Sequence, residues 1–214
     1  DEEKVLYFAR EKKGHEGVKG TVTEDFRGIL VHDHEITFYR YGSAHQECLA
    51  HVERYLKDSM ENESSLTWNR RMRELLQRMI HYRKEHTGEA SLDAQTVAGF
   101  ETEYQEILDK AKEEYKRNEP SPYYREGYNL YRRMQEYKTE HLLFLHDMRV
   151  PTTNNTAERC LRDYKRKQTF AMTFRSLESI EELCHSKGVL LEVRKNNPNI
   201  YTAVMEIFNR RYGA

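Results

Sequence analysis

The hydrophobic period of the sequence changes near Cys48, and this change constrains the fold more than any other feature. Upstream of it, residues 5–8 and 28–32 are short runs of strand-favouring residues, and residues 43–47 are a third extended candidate. Downstream, apolar residues recur at helical spacing. The sequence therefore predicts an α/β chain that begins with strands and continues with helices.

The helical signals extend over most of the chain. A brief helix is expected between His15 and Glu24, and longer ones from Leu49, over 72–80, from Tyr124 toward Leu145, over 176–193 and over 201–211. The clearest apolar stripe comprises Val97, Phe100, Tyr104, Ile107, Leu108, Ala111 and Tyr115. Residues 66–137 carry only helical signals, so their tyrosines and methionines are interpreted as core residues.

Composition limits the classes of function. The 214 residues suffice for one domain, with or without an insertion, and 35 basic residues nearly balance 36 acidic ones. Any nucleic-acid surface must therefore be a local patch. Three widely spaced cysteines argue against a disulfide framework, and no apolar run is long enough for a membrane span, so a cytoplasmic location is predicted. Because the chain begins at Asp1 without methionine, it is interpreted as a fragment lacking an upstream part.

Residues 151–167 place an acid and a basic run on one predicted helix. Asn155 is a suitable N-cap, and an apolar stripe follows at Ala157, Cys160, Leu161 and Tyr164. Glu158 lies at the edge of this stripe. The pattern Asn155-x-x-Glu158 is also typical of a capping box, in which the glutamate only bonds to the backbone of the cap.

A second acid, Asp33, directly follows the apolar run at 28–32. An acid at the end of a buried strand lies at the edge of the sheet, where α/β proteins bind ligands, although a turn aspartate is an equal alternative. If the fold brings Asp33 to Glu158, the pair could bind hard divalent cations. Two such ions, about 4 Å apart, can activate a water or a 3′-hydroxyl in phosphodiester chemistry. That arrangement requires a third acid.

The pattern His45-x-x-Cys48-x-x-His51 has the spacing of metal ligands. A structural zinc would need a fourth ligand, for which Cys160 and the pair Cys184-His185 are the later candidates. A buried cysteine beside a hydrogen-bonded histidine is the favoured interpretation. The sequence has no nucleophile elbow and no glycine-rich phosphate loop.

Four segments together resemble one family. GILVHD at 28–33, ECLAHVERYL at 47–56, NNTAERCLRDYKRKQTF at 154–170 and KGVLLEVRKNNPNIYTAVMEIF at 187–208 are similar, in this order, to DDE transposases of the insertion-sequence-66 family. The resemblance implies a ribonuclease-H-like core with a small mixed sheet whose first strands are missing, a large helical insertion and C-terminal helices. It divides the chain into core at 1–60, insertion at 61–145, remaining core at 146–175 and helices at 176–214.

The resemblance also implies a catalytic site that cleaves and joins DNA ends with Mg²⁺ or Mn²⁺. Asp33 corresponds to the second acid and Glu158 to the third, whereas the first aspartate is expected upstream of this chain. The fragment is therefore predicted to be inactive alone. The family commonly carries glycine and tyrosine after the second acid, whereas this chain has His34 and Glu35.

Further residues gain an implied role. Cys48 and His51 match a C-x-x-H element near the active site. A basic group follows Glu158 and would hold backbone phosphates: Arg159, Arg162, Lys165, Arg166 and Lys167. A solvated helix face is the alternative for Arg162 and Lys165.

The implied partners are transposon ends and target DNA, accessory transposition proteins, and further copies of the protein in an oligomeric DNA complex. Two other hypotheses compete with the enzyme. One is an inactive relative that serves as a DNA-binding or protein-interaction domain, and the other is a helical scaffold whose acids are only caps.

Overall fold

A computed structural model of the chain describes residues 4–171, 176–196 and 199–212. It divides into two compact units. The sheet unit comprises residues 25–154, and the terminal unit comprises the described parts of 1–24 and 155–214.

The described residues form nine α-helices and two strands. The helices are α1 His15–Val18, α2 Leu49–Asn62, α3 Trp68–Glu85, α4 Ala94–Arg117, α5 Glu126–Glu136, α6 Lys138–His146, α7 Asn155–Ala171, α8 Leu177–Asn196 and α9 Ile200–Tyr212. The strands are β1 Ile29–His32 and β2 Ala44–Glu47. The predicted strands at 28–32 and 43–47 are therefore confirmed, as are the main helical segments.

Strands β1 and β2 pair in parallel, with Ile29 opposite Ala44 and His32 opposite Glu47. A 3₁₀ helix, Ile36–Arg40, lies in the short connection between them. Within the described ranges the sheet has only these two strands, so it is parallel where a mixed sheet was predicted. Both carboxyl ends lie at one edge, which is where Asp33 follows β1.

The core of the sheet unit is built by helices. Helix α3 packs between α2 and α4, and α6 packs on β2. Trp68, Tyr104 and Phe144 are fully buried. Of the tyrosines and methionines predicted to be core residues, Met72, Met79 and Met134 are also fully buried, whereas Tyr123 is 97% exposed. The stripe predicted to run from Tyr124 toward Leu145 is divided at Tyr137 into α5 and α6.

The terminal unit corrects a strand prediction. Residues 4–10 form no strand, and their apolar side chains pack on helices instead. The Tyr7 hydroxyl donates to the Cys160 carbonyl at 3.2 Å, and its ring centroid lies 4.9 Å from that of Tyr164. Strand-favouring residues suit any half-buried surface, so their composition alone did not specify a sheet partner.

The stripe predicted on α7 is only half correct. Cys160 and Tyr164 pack against the small core of the terminal unit, whose buried members are Tyr7, Ala9 and Cys184. Ala157 and Leu161 are exposed instead. No helix among the described residues has the length and apolar character needed to cross a membrane.

Candidate active site

Asp33 is exposed directly after the last residue of β1. Ile29 and Val31 of that strand pack against the core, which fixes the strand and thereby the position where Asp33 leaves it. The next residue, His34, has a positive φ of 64°. The chain therefore bends sharply just beyond the carboxylate.

Beside this bend lies a buried carboxylate, Glu47, the last residue of β2. Only 1% of Glu47 is exposed. Its Oε1 accepts hydrogen bonds from His34 Nδ1 at 2.5 Å and from the Tyr39 hydroxyl at 2.5 Å. Its Oε2 faces His141 Nε2 at 3.3 Å and Arg133 Nε at 3.5 Å. Four groups from three parts of the sheet unit thus converge on one acid.

The surroundings keep Glu47 ionised. Burial alone would raise the pKa of Glu47, but the contacts from His141 and His34 and the charge of Arg133 outweigh it and lower the pKa below its ordinary value. Tyr39 shows the opposite effect, because burial and the hydrogen bond to Glu47 both raise its pKa. Burial and the neighbouring His45 lower the pKa of His32 to about 4.

Helix α6 is fixed to the same strand by Gln46, which is fully buried. Its amide nitrogen donates to the His141 carbonyl at 3.3 Å, and its amide oxygen accepts from the backbone N–H of Phe144 at 2.8 Å. On the far side of His141, the Tyr104 hydroxyl lies 3.2 Å from Nδ1 and donates to the Met134 carbonyl at 3.1 Å. His141 is therefore held on both sides.

Cys48 connects both strand ends to the loop that precedes α7. Its backbone N–H donates to the His32 carbonyl at 2.7 Å, and its Sγ accepts from the Asn154 N–H at 3.5 Å. The next residue, Leu49, donates its N–H to the Thr152 carbonyl at 2.9 Å. The C-x-x-H element thus holds residues 152–154, although Cys48 itself is only 1% exposed.

Glu158 and the basic group lie on α7 in the terminal unit. The exposed members are Glu158, Arg159, Arg162, Lys165 and Arg166. Glu158, Arg162 and Lys165 are at spacing i, i+4 and i+7, which places them on one face of the helix. The side chain of Lys167 lies outside the described residues.

The predicted site residues therefore belong to two separate units. Asp33, Cys48 and His51 lie in the sheet unit, and Glu158 with the basic group lies in the terminal unit. The ranges that the structure describes contain no group of three or more His, Cys, Asp or Glu side chains that could hold a metal ion. This includes the predicted ligand pattern His45, Cys48 and His51.

Sequence reasoning missed the cluster around Glu47. Two sequence signals could have identified members of this cluster. Glu47 ends a predicted strand beside Cys48, and His34 stands where the resemblance implies glycine. Nothing in the sequence connects Glu47 to His141 or Arg133, because they follow nearly a hundred residues later. Their convergence depends on the packing of α5 and α6.

Comparison with known proteins gives one match. The model of the family described as "Transposase IS66 family" matches residues 1–182. No curated protein and no solved structure matches the chain.

Proposed function

The chain belongs to the IS66 family of transposases, and we propose that it forms part of a ribonuclease-H-like catalytic core for metal-dependent DNA cleavage and strand transfer. Membership itself indicates a DNA-processing protein of transposition, and the family generally uses a divalent metal. The observation that carries the proposal is the exposed Asp33 at the carboxyl edge of a parallel strand pair.

We assign the metal ligands to Asp33 and Glu158. Both are exposed carboxylates, and such oxygen donors suit Mg²⁺ or Mn²⁺. Glu158 is four residues beyond Asn154, whose N–H is bonded to Cys48 at the end of β2. The pairing of Glu158 with Asp33 rests on the family match, which covers both residues. Two acids are an incomplete set, so the proposal includes a further aspartate from the upstream strand that the resemblance implies.

A bound divalent ion would activate the attacking oxygen and stabilise the leaving oxygen. The residues of this chain would supply the remaining functions. Asp33 and Glu158 would orient the ion, and Arg159, Arg162, Lys165, Arg166 and Lys167 would hold backbone phosphates in a sequence-independent manner.

The test is cleavage and joining of transposon-end DNA in Mg²⁺ by a protein that includes the upstream segment. Asp33→Asn and Glu158→Gln should each lower the rate by at least about 10²-fold. Asp25→Asn and Glu178→Gln replace exposed acids of the same two units and should leave the rate unchanged.

The choice of glutamine at position 158 also tests the capping-box interpretation. Glutamine serves in a capping box as glutamate does, so Glu158→Gln should keep the thermal stability while it removes a metal ligand. An unchanged rate in this variant would refute the catalytic assignment.

The second candidate is a catalytically inactive DNA-binding relative. It is favoured by the exposed basic residues of α7, which could hold DNA without any catalytic site. DNA binding without any metal-dependent cleavage, including when the upstream segment is present, would support it.

A further inference from the structure

His34 has a backbone conformation that is uncommon for residues other than glycine. It is the only non-glycine residue with a positive φ in the part of the chain that the structure describes. The left-handed region is strained for a residue with a Cβ, because the Cβ lies too close to the following carbonyl oxygen. Such a conformation persists when surrounding contacts enforce it, and it is often found at functional sites.

The contacts that enforce it come from the side chain of His34. Its Nδ1 donates to Glu47 Oε1 at 2.5 Å, and its ring centroid lies 5.1 Å from that of Tyr137 and 5.8 Å from that of Tyr39. Glu47 is only 1% exposed, and its other oxygen lies 3.3 Å from His141 Nε2 and 3.5 Å from Arg133 Nε, so a displaced imidazole would separate from a carboxylate that is packed in the core. The bend after Asp33 is therefore anchored by the buried carboxylate of Glu47.

We propose that Glu47 is a positioning residue that acts through His34 to fix the chain bend behind Asp33 and thereby the direction of the Asp33 carboxylate. This rests on the proposed function of Asp33. Glu47 is buried, and His34 contributes its backbone shape and its bond to Glu47. Residues that support a catalytic group in this way affect the rate, because even a small displacement of that group slows the reaction.

A double-mutant cycle on the DNA cleavage rate, measured in Mg²⁺ with the protein that includes the upstream segment, tests the connection. Glu47→Gln keeps the shape but removes the charge, and it should lower kcat about tenfold with little change in KM. In a His34→Gly background, where glycine adopts the bend unaided, Glu47→Gln should lower kcat by less than about threefold. The loss of thermal stability should be similar in both backgrounds, because Arg133 loses its counter-charge in each. A merely structural Glu47 predicts equal kcat losses, which would overturn the proposal.

Tyr39→Phe is the matched control. It removes the other hydrogen bond to Glu47 Oε1 and the longer contact of the Tyr39 hydroxyl with His34 Nδ1 at 3.4 Å, and it leaves the shorter bond between His34 and Glu47 and the ring contact in place. Its kcat should stay within about twofold of the unmodified protein, since the bend keeps its anchor.

A backbone series keeps the test informative if Glu47→Gln fails to fold. His34→Gly and His34→Asn tolerate the left-handed region, whereas His34→Val does not. The rates should follow this order, with His34→Val at least about tenfold below His34→Gly. Equal rates would overturn the proposal, and so would a loss of activity in His34→Gly as great as in His34→Val, since that requires a chemical role for the imidazole.

The Asp33→Asn variant separates this proposal from the proposed function. Full activity of Asp33→Asn contradicts the catalytic site itself. An inactive Asp33→Asn with additive losses at Glu47 and His34 contradicts only the positioning role.

Discussion

The two units differ in how they bury their apolar residues. The sheet unit has a core of more than twenty buried residues centred on Trp68, Tyr104 and Phe144. Among the residues that the structure describes, the core cluster of the terminal unit has three buried members, Tyr7, Ala9 and Cys184. Helices α8 and α9 leave large apolar side chains exposed: Val189, Leu190, Tyr201, Met205, Ile207 and Phe208. Apolar burial is the main favourable contribution to folding, so stability should reside largely in the sheet unit.

The strongest test of this contrast is to replace one apolar side chain in each core by alanine. Trp68→Ala in the sheet unit should lower the free energy of unfolding by about 3–5 kcal/mol. Ile180→Ala in the terminal unit, where the residue is only partly buried, should cost about 1–2 kcal/mol. Denaturant unfolding measures both, and equal losses would break the comparison.

A second test uses pH. Because the pKa of His32 falls from 6.5 unfolded to about 4 folded, the folded state binds this proton more weakly. The weaker proton binding lowers the free energy of unfolding only below pH 6.5. This loss grows as the pH falls and levels off near pH 4, where it reaches about 2 kcal/mol after allowance for solvent screening. Thermal unfolding from pH 7 to 4 should show a smaller loss in His32→Gln, and the exposed His81→Gln should behave like the unmodified protein.

A third, smaller effect is expected at Tyr7. Tyr7→Phe removes the hydrogen bond to the Cys160 carbonyl and keeps the ring contact with Tyr164, so it should cost about 1 kcal/mol. Hydrogen exchange should become faster in α7 and α8 and stay unchanged in α3 and α4. Faster exchange throughout would mean that the two units unfold as one.

The smallest effect should come from the exposed face of α9. Tyr201 is 74% exposed, so Tyr201→Ser should change the free energy of unfolding by less than about 0.5 kcal/mol. Denaturant unfolding provides the measurement, and a loss above about 1 kcal/mol would show that this residue is buried in solution.

The sequence predicted secondary structure better than it predicted which distant residues contact each other. Helical spacing located α3 and α4, and the β-branched run located β1, because each signal lies within a few neighbouring residues. The strand prediction for residues 5–8 was wrong because the surface on which they pack, formed by α7 and α8, lies more than 150 residues away in the sequence. The same limit applies to the candidate site, where Asp33 was identified by its place after a strand, but the bonds of Glu47 to His34 and His141 depend on tertiary packing.

The bond between Tyr7 and Cys160, 153 positions apart, has a consequence for biosynthesis. The ribosome releases the early segment long before α7 and α8 exist. At typical translation rates this delay is on the order of 10 s, during which Val5, Tyr7 and Ala9 have no native surface to cover them. The apolar segment is therefore exposed to aggregation while the chain is being synthesised. We expect chaperones that bind emerging polypeptides to bind it.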